Sequence, residues 1–215
     1  ATLKHLEFLR EHVQADGSHY VFKHALTQDV AYASMLTERQ QALHEVAGRA
    51  IEAAYPGRLE EHYELLAHHY GRSGEVEKAI EYLMLAGEKS NQNKAVQTAC
   101  EFFRQALKVV ESTHISLDPD KERRIHQGLA SASVDIGDIN TALENYGKAM
   151  EVCQKHRMIT DEMEILGEFA GAKLFTPMTR EETIRFYGEG ISRAREVGDK
   201  GAESRILSIK GFHLG

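Results

Sequence analysis

Apolar and small residues recur along this chain with a period of about forty residues, and each unit contains two stretches of helical periodicity. In each unit, a small residue falls where two antiparallel helices would cross and a glycine falls in the turn between them. Two units with identical internal spacing are Leu66, Ala67, Tyr70, Gly74, Ala79, Leu83, Ala86 and Leu129, Ala130, Ser133, Gly137, Ala142, Tyr146, Ala149. The pattern predicts an all-α protein built from stacked helical hairpins.

Two further copies extend this pattern toward the C-terminus. The third is built on Gly171, Thr183, Tyr187 and Gly190, and the fourth begins at Leu207 and Gly211. The fourth copy stops halfway through a hairpin, so we expect the chain to be a C-terminally truncated segment of a longer protein. We also expect the apolar face left at this end to promote self-association.

The spacing resembles the tetratricopeptide repeat and implies a TPR-like α-solenoid over residues 58–215. The crossing residues Gly87, Ala130, Gly171 and Gly211 are 43, 41 and 40 residues apart, whereas the repeat typically has about 34 residues. Helices are predicted at 59–71, 75–91, 94–111, 120–136, 139–156, 161–174, 179–197 and 200–213. The helix at 75–91 belongs to two successive units, and Asp118-Pro119 and Thr176-Pro177 predict breaks.

A different pattern precedes the repeats and predicts a small helical subdomain over residues 1–57. Leu3, Leu6 and Leu9 form one stripe of a helix at 3–12, and the aromatic and β-branched residues at 19–23 predict a short strand or hairpin. A helix follows from Thr27 or Asp29 toward Leu36. Thr37 and Gln40 predict a capping box for a long helix that Pro56-Gly57 ends.

Composition places the chain among soluble, mostly helical proteins, with 42% hydrophobic and 27% charged residues. Cys100 and Cys153 lie within helical patterns, so we expect reduced core thiols rather than a disulfide. No apolar run has the length of a membrane span, and we expect a cytoplasmic location without membrane contact. The formal charge of −7 argues against non-specific nucleic-acid binding.

Residues around the start of the repeats resemble one family of bacterial signalling proteins. In these proteins a class III adenylate or guanylate cyclase domain precedes a STAND-type ATPase and a tetratricopeptide array. The resemblance is carried by Phe22-Lys23-His24-Ala25-Leu26-Thr27-Gln28-Asp29-Val30-Ala31-Tyr32, by Leu43-His44, and by Leu59-Glu60-Glu61-His62-Tyr63-Glu64-Leu65-Leu66-Ala67-His68-His69-Tyr70. It implies that residues 1–57 are the winged-helix-like end of the ATPase module and connect it to the repeats.

The resemblance implies no catalytic residue in this chain, because the cyclase carboxylates and the ATPase phosphate loop would lie upstream. We therefore expect a non-catalytic sensor or scaffold fragment of a nucleotide cyclase, whose repeats regulate ATPase and cyclase output. The same segment of a STAND-type transcription regulator is the main alternative, and a helical enzyme with an unrecognised site is a distant one. Sequence upstream of Ala1 would separate the first two, through metal-binding carboxylates or a DNA-binding domain.

Motifs for bound cofactors, metals and nucleic acid are incomplete. Gly87-Glu88-Lys89-Ser90 has only part of a phosphate loop and lies in a helical pattern, so a helix-packing glycine is favoured. His62, His68 and His69 with nearby glutamates fall short of a four-ligand site, which favours an exposed polar face and no metal. Winged-helix segments can bind DNA, but residues 1–58 carry six Lys or Arg against seven Asp or Glu.

One surface of the solenoid is the candidate partner site. Positions three and four apart on the first helix of each hairpin project toward the concave side, where proteins of this type commonly hold peptides or partner domains. The candidate residues are Glu61, Glu64, His68, Glu81, Met84, Glu88, Arg124, Gln127, Ser131, Glu168, Phe175, Arg205 and Phe212. The groove is predicted to be acidic at its N-terminal end and to mix aromatic and basic groups at the other.

Overall fold

The computed structural model describes residues 9–14 and 17–214, in which a short β-hairpin precedes ten α-helices. The prediction of an all-α solenoid of antiparallel helical hairpins is confirmed. The elements are β1 (Leu9–Gln14), β2 (Gly17–Phe22), α1 (Ala25–Ala33), α2 (Thr37–Ala54), a 3₁₀ turn (Leu59–His62), α3 (Tyr63–Tyr70), α4 (Val76–Gln92), α5 (Val96–Thr113), α6 (Pro119–Asp135), α7 (Ile139–His156), α8 (Ile159–Lys173), α9 (Arg180–Val197) and α10 (Lys200–Leu214).

The N-terminal segment differs from its predicted conformation. The strand expected at 19–23 is confirmed as β2, and β1 pairs with it antiparallel. The helix expected at 3–12 is therefore wrong from Leu9 onward, while Leu3 and Leu6 lie outside the described residues. A helix of ten residues is marginal in water, whereas pairing with β2 provides interstrand hydrogen bonds.

The start of α2 also differs in detail from the prediction. Leu36 occupies the N-cap position and makes no side-chain capping bond, so the capping box predicted for Thr37 and Gln40 is wrong. The Gln40 side-chain amide instead donates to the carbonyl oxygen of Tyr32 at 2.8 Å. Gln40 therefore links α2 to the end of α1.

From α3 onward, each helix packs against the next in chain order. The predicted helix ends lie within two residues of the observed ones, except that residues 59–62 form a 3₁₀ turn and α3 begins at Tyr63. The expected break at Asp118-Pro119 is confirmed, because Asp118 caps α6 by accepting a hydrogen bond from the backbone N–H of Asp120. No helix in the described part of the chain is both long enough and apolar enough to cross a membrane.

The even-numbered helices of the array form a layer of their own. Helix α4 contacts α6, α6 contacts α8, and α8 contacts α10, although an odd-numbered helix separates each pair in sequence. The solvent-facing side of α4, α6, α8 and α10 is called the even-helix face below. This arrangement places the first helix of each predicted hairpin from α6 onward, together with the shared helix α4, on one continuous surface.

One aromatic ring of α5 packs against glycines on the first two even-numbered helices, α4 and α6. The Phe103 ring from α5 packs between Gly87 of α4 and Gly128 of α6, and its side chain is fully buried. A Cβ atom at Gly87 or Gly128 would lie 2.8 or 2.3 Å from ring carbons of Phe103. The packing role predicted for Gly87 is confirmed. A Cβ atom built at Gly171 or Gly211 would meet no described atom of another helix within 4 Å, so close crossing does not explain those two positions.

Both cysteines are free and buried within the helical array, as their helical patterns predict. Burial raises the pKa of the Cys153 thiol to about 11. The Cys153 thiol therefore remains protonated near neutral pH, as expected for a residue that contributes to packing.

One carboxylate joins α2 to the first repeat helices. Glu52 accepts hydrogen bonds from Lys78 at 2.6 Å, from the Tyr82 hydroxyl at 2.6 Å and from the Tyr70 hydroxyl at 2.8 Å. Partial burial opposes ionisation of Glu52, but the hydrogen bonds from these three donors outweigh it and lower its pKa. Glu52 thus links α2 to both α3 and α4.

We expect attachment of α2 to weaken in acid, because protonation of Glu52 removes its ion pair with Lys78. A carboxyl whose pKa is lower in the folded state stabilises the fold above its unfolded pKa, and the contribution disappears as pH falls through the folded value. Thermal unfolding of the chain and of Glu52→Gln from pH 7 to pH 3 measures this effect. The variant should be less stable at pH 7 and lose less on acidification, and parallel pH profiles would contradict the assignment.

Candidate functional site

The even-helix face carries ion pairs between α4 and α6. Arg124 donates from Nε and Nη2 to the two carboxylate oxygens of Glu88, at 2.8 and 2.6 Å. Lys121 donates to Glu81 at 3.2 Å. The sequence predicted Glu81, Glu88 and Arg124 for this surface, and the structure brings them together across neighbouring helices.

A second set of polar contacts connects α6 to α8. The Gln127 side-chain amide lies 3.2 Å from both carboxylate oxygens of Glu168, and Arg123 pairs with Asp161 at 3.5 Å. Gln127 and Glu168 were candidates from sequence, whereas Arg123 and Asp161 were not. These contacts and the pairs between α4 and α6 form a row that runs across three even-numbered helices.

The N-terminal end of the groove is less acidic than the sequence predicted. Glu64 accepts a hydrogen bond from Lys89 at 2.9 Å, and Glu61, in the 3₁₀ turn, pairs with Arg58. With Glu81 and Glu88 also paired, each of these carboxylates has a cationic neighbour that partly neutralises its field. Lys89 and Lys121 could not be assigned from sequence because helix periodicity gives the face of a residue but not its partner on another helix.

Five candidate residues lie away from the even-helix face, which corrects their assignment. Glu61 belongs to the 3₁₀ turn, and Glu64 and His68 belong to the odd-numbered helix α3. Met84 is only 1% exposed and belongs to the hydrophobic core. It is covered because the shared helix α4 packs against α3, α5 and α6, which leaves a narrow exposed stripe. Phe175 is 67% exposed but lies beyond the end of α8, in the connection to α9.

An open depression of about 560 Å³ lies between α8 and α10. It is lined by Thr160, Glu164, Gly167, Glu168, Asp199 and Arg205. The Arg205 side chain crosses α8 at Gly167, where a Cβ atom would lie 3.4 Å from Arg205 Nε. Arg205 makes no ion pair with any described residue, so its guanidinium is available to an incoming group.

The carboxylate of Glu168 lies at the inner side of the depression, where it contacts Gln127 of α6. Burial raises its pKa, and the neighbouring negative charge of Glu164 adds to the shift. Hydrogen bonds with Gln127 and Tyr146 and the charge of Arg123 act in the opposite direction and do not cancel it. A cationic group placed here would stabilise the ionised form of Glu168 and gain from the same desolvated surroundings.

The remaining candidates occupy three different environments. Ser131 lies on α6 and interacts with the Tyr146 hydroxyl. Phe212, on α10, is 81% exposed. His68 lies beside His69 and also beside His44, which comes from α2 and was not part of the predicted histidine group.

Comparison of the chain with protein-family models finds no match, and comparison with curated proteins finds no significant match.

Proposed function

We propose that this chain is a non-catalytic protein-interaction and regulatory module whose even-helix face binds an extended segment of a partner protein. The observation that carries the proposal is the open, charged depression between α8 and α10, which continues into the polar row on α6 and α4. Stacked helical hairpins commonly provide extended binding surfaces of this kind.

The charges around the depression favour a partner segment of mixed charge. Glu164, Glu168 and Asp199 attract a lysine or arginine side chain, while Arg205, which has no ion pair within the described part of the chain, attracts a carboxylate. The ion pairs formed by Lys121 and Arg124 are only partly buried, so a bound segment can compete for their hydrogen bonds. Binding would therefore be specific in charge order and moderate in affinity.

On the resemblance carried by residues 22–70, we further propose that the module belongs to a bacterial cytoplasmic signalling protein. Its repeats would receive a partner segment and transmit binding through α2 to a STAND-type ATPase and a nucleotide cyclase. The link from Glu52 to Tyr70, Lys78 and Tyr82 supports a mechanical connection between the N-terminal subdomain and the repeats.

A library of random dodecapeptides selected on the purified chain tests the binding proposal directly. We expect enrichment of peptides that carry a basic residue near an acidic one. Glu164→Lys should weaken their binding roughly five- to tenfold, because it replaces an attraction of up to about 1 kcal/mol with a repulsion. Affinities of enriched peptides, measured by fluorescence anisotropy, provide the comparison.

Glu151→Lys is the matched control, because Glu151 is an exposed glutamate on α7, outside the even-numbered helices. It introduces the same change in net charge and should leave peptide affinity nearly unchanged. A library without enrichment, or equal losses in both variants, would overturn the assignment of this face as the binding surface.

A further inference from the structure

Three histidines from two helices meet beside the junction of α2 and α3. His44 lies on α2, and His68 and His69 are consecutive residues of α3. One ligating nitrogen from each imidazole lies within 4.8 Å of the other two, and the Nδ1 atoms of His44 and His69 are 3.0 Å apart. This cluster is separate from the depression between α8 and α10.

The packing of α2 on α3 determines this meeting. His44, Gly48 and Glu52 lie four residues apart and therefore share one side of α2. The Tyr70 ring of α3 packs against Gly48, where a Cβ atom would lie 2.7 Å from its Cζ atom, and its hydroxyl donates to Glu52. With the two helices held there, His44 lies one turn along α2 and faces the histidines that precede Tyr70.

The spacing of the nitrogens suits a small transition-metal ion. Zinc binds imidazole nitrogen at about 2.0–2.1 Å, so ligating nitrogens in a tetrahedral site are about 3.3–3.4 Å apart. The observed separations of 3.0 Å for His44 and His69 and at most 4.8 Å within the cluster bracket that value. Modest rotations of partly exposed side chains would bring the three nitrogens to a common centre.

Hydrogen bonds with neighbouring side chains hold the imidazole rings of His44 and His68. The Tyr32 hydroxyl lies 3.0 Å from Nε2 of His44, which leaves Nδ1 of His44 directed at the cluster. Arg72 donates to Nδ1 of His68 at 3.1 Å and to the His68 carbonyl oxygen, so the proton of neutral His68 lies on Nε2 and an ion bound there would displace it. The contact of His44 with Tyr32 is of the kind that orients a metal-binding imidazole.

Local electrostatics favour neutral imidazoles. Partial burial lowers the pKa of all three histidines, and the positive charge of Arg72 adds to this effect. Neutral imidazole is the form that binds metal, so fewer protons compete for the site. The positive charge of Arg72 also repels a metal cation. This repulsion lowers the affinity of the site for the ion but does not change the positions of the three imidazoles.

We propose that His44, His68 and His69 bind Zn²⁺ through three imidazole nitrogens, with a fourth position open to solvent. The ion would join α2 to α3 and so strengthen the connection between the N-terminal subdomain and the repeats. The stability of the contact between α2 and α3 would then depend on zinc. This proposal does not depend on the peptide-binding function proposed above.

Titration of the metal-free full chain with ZnCl₂ in a calorimeter tests the site at pH 7.5. We expect one ion per chain, a rise in the melting temperature on binding, and weaker binding as pH falls because protons compete for the imidazoles. His44→Gln and His69→Gln should each weaken binding by at least about tenfold. Cobalt(II) should give the visible spectrum of a tetrahedral site with nitrogen ligands.

His156→Gln is the matched control, because His156 is exposed at the end of α7 and distant in sequence from the cluster. It should leave zinc affinity unchanged, and circular dichroism should report the same helix content in all variants. Absence of zinc binding at micromolar concentrations would overturn the proposal. Equal affinity in the chain and in the folded His44→Gln variant would overturn it as well.

Discussion

Replacing Phe103 with alanine is expected to lower the free energy of unfolding by about 3–5 kcal/mol, the largest loss that we predict for a single core substitution. The Phe103 side chain is fully buried and fills the space between Gly87 and Gly128 on two different helices. Neither glycine has a side chain that could move into the resulting cavity. Urea denaturation followed by circular dichroism measures the loss.

Phe175→Ala is the control for this experiment, because Phe175 is 67% exposed in the connection after α8. It should change stability by no more than about 0.5 kcal/mol. Similar losses for the two variants would contradict the role of Phe103 as the central packing residue of this region.

A double-mutant cycle tests the contact between Phe103 and Gly128 more specifically. Gly128→Ala alone should destabilise the fold by about 1–3 kcal/mol through overpacking, less the advantage of about 1 kcal/mol that alanine has in a helix. In a Phe103→Leu background the added methyl group meets a smaller side chain, so its cost should fall or change sign. If the free-energy changes of the two substitutions were additive, the two residues would not be in contact.

The second large effect is expected at a buried carboxylate in the C-terminal half. Glu162 of α8 is only 1% exposed and accepts hydrogen bonds from Arg193 of α9 at 2.8 and 3.0 Å. Gln154 donates a weaker bond at 3.2 Å. Arg193→Met removes the only cation that pairs with Glu162 among the described residues and leaves its charge buried.

We expect Arg193→Met to cost about 3 kcal/mol of stability, measured by urea denaturation at neutral pH. This is the lower end of the usual range, because the Arg193 side chain is 40% exposed and water can enter when the guanidinium is lost. Addition of Glu162→Gln should recover much of the loss, since the buried group is then neutral.

Arg195→Met is the corresponding control on the same helix. Arg195 pairs with Glu203, but its side chain is 64% exposed, and exposed ion pairs contribute about 0–1 kcal/mol. Equal losses for the Arg193 and Arg195 variants would mean that burial of Glu162 has no energetic consequence. A double variant no more stable than Arg193→Met would contradict the charge argument.

Sequence reasoning succeeded where a local pattern was long and strongly periodic. The helix predicted at 139–156 has the bounds of α7, because alanines and an aromatic residue recur on its buried side and Asp138 caps its first turn. It failed at residues 9–12, where a weak leucine stripe predicted a helix and pairing with β2 produced a strand instead. Short segments follow their tertiary neighbours more readily than their own propensities.

For the candidate surfaces, too, the sequence predicted the features that are local to one helix and missed those that involve two helices. Helix periodicity placed Glu81, Glu88 and Arg124 on one face, but their partners lie on other helices, and Lys121 is 40 residues from Glu81. The zinc proposal rests on His44, which is 25 residues from His69 and belongs to a different helix. Spacing within a helix reveals pairs at three or four residues, whereas a site shared by two helices depends on how they pack.

The sequence by itself determined the helical class, the order of the hairpins and most helix bounds, because these follow from residue spacing over one or two turns. Tertiary structure alone decided the burial of Met84, the neutralisation of the acidic groove and the meeting of His44 with His68 and His69. Each of these depends on the distance between helices that are remote in sequence. That distance is fixed by side-chain packing at contacts such as Gly48 with Tyr70 and Gly128 with Phe103.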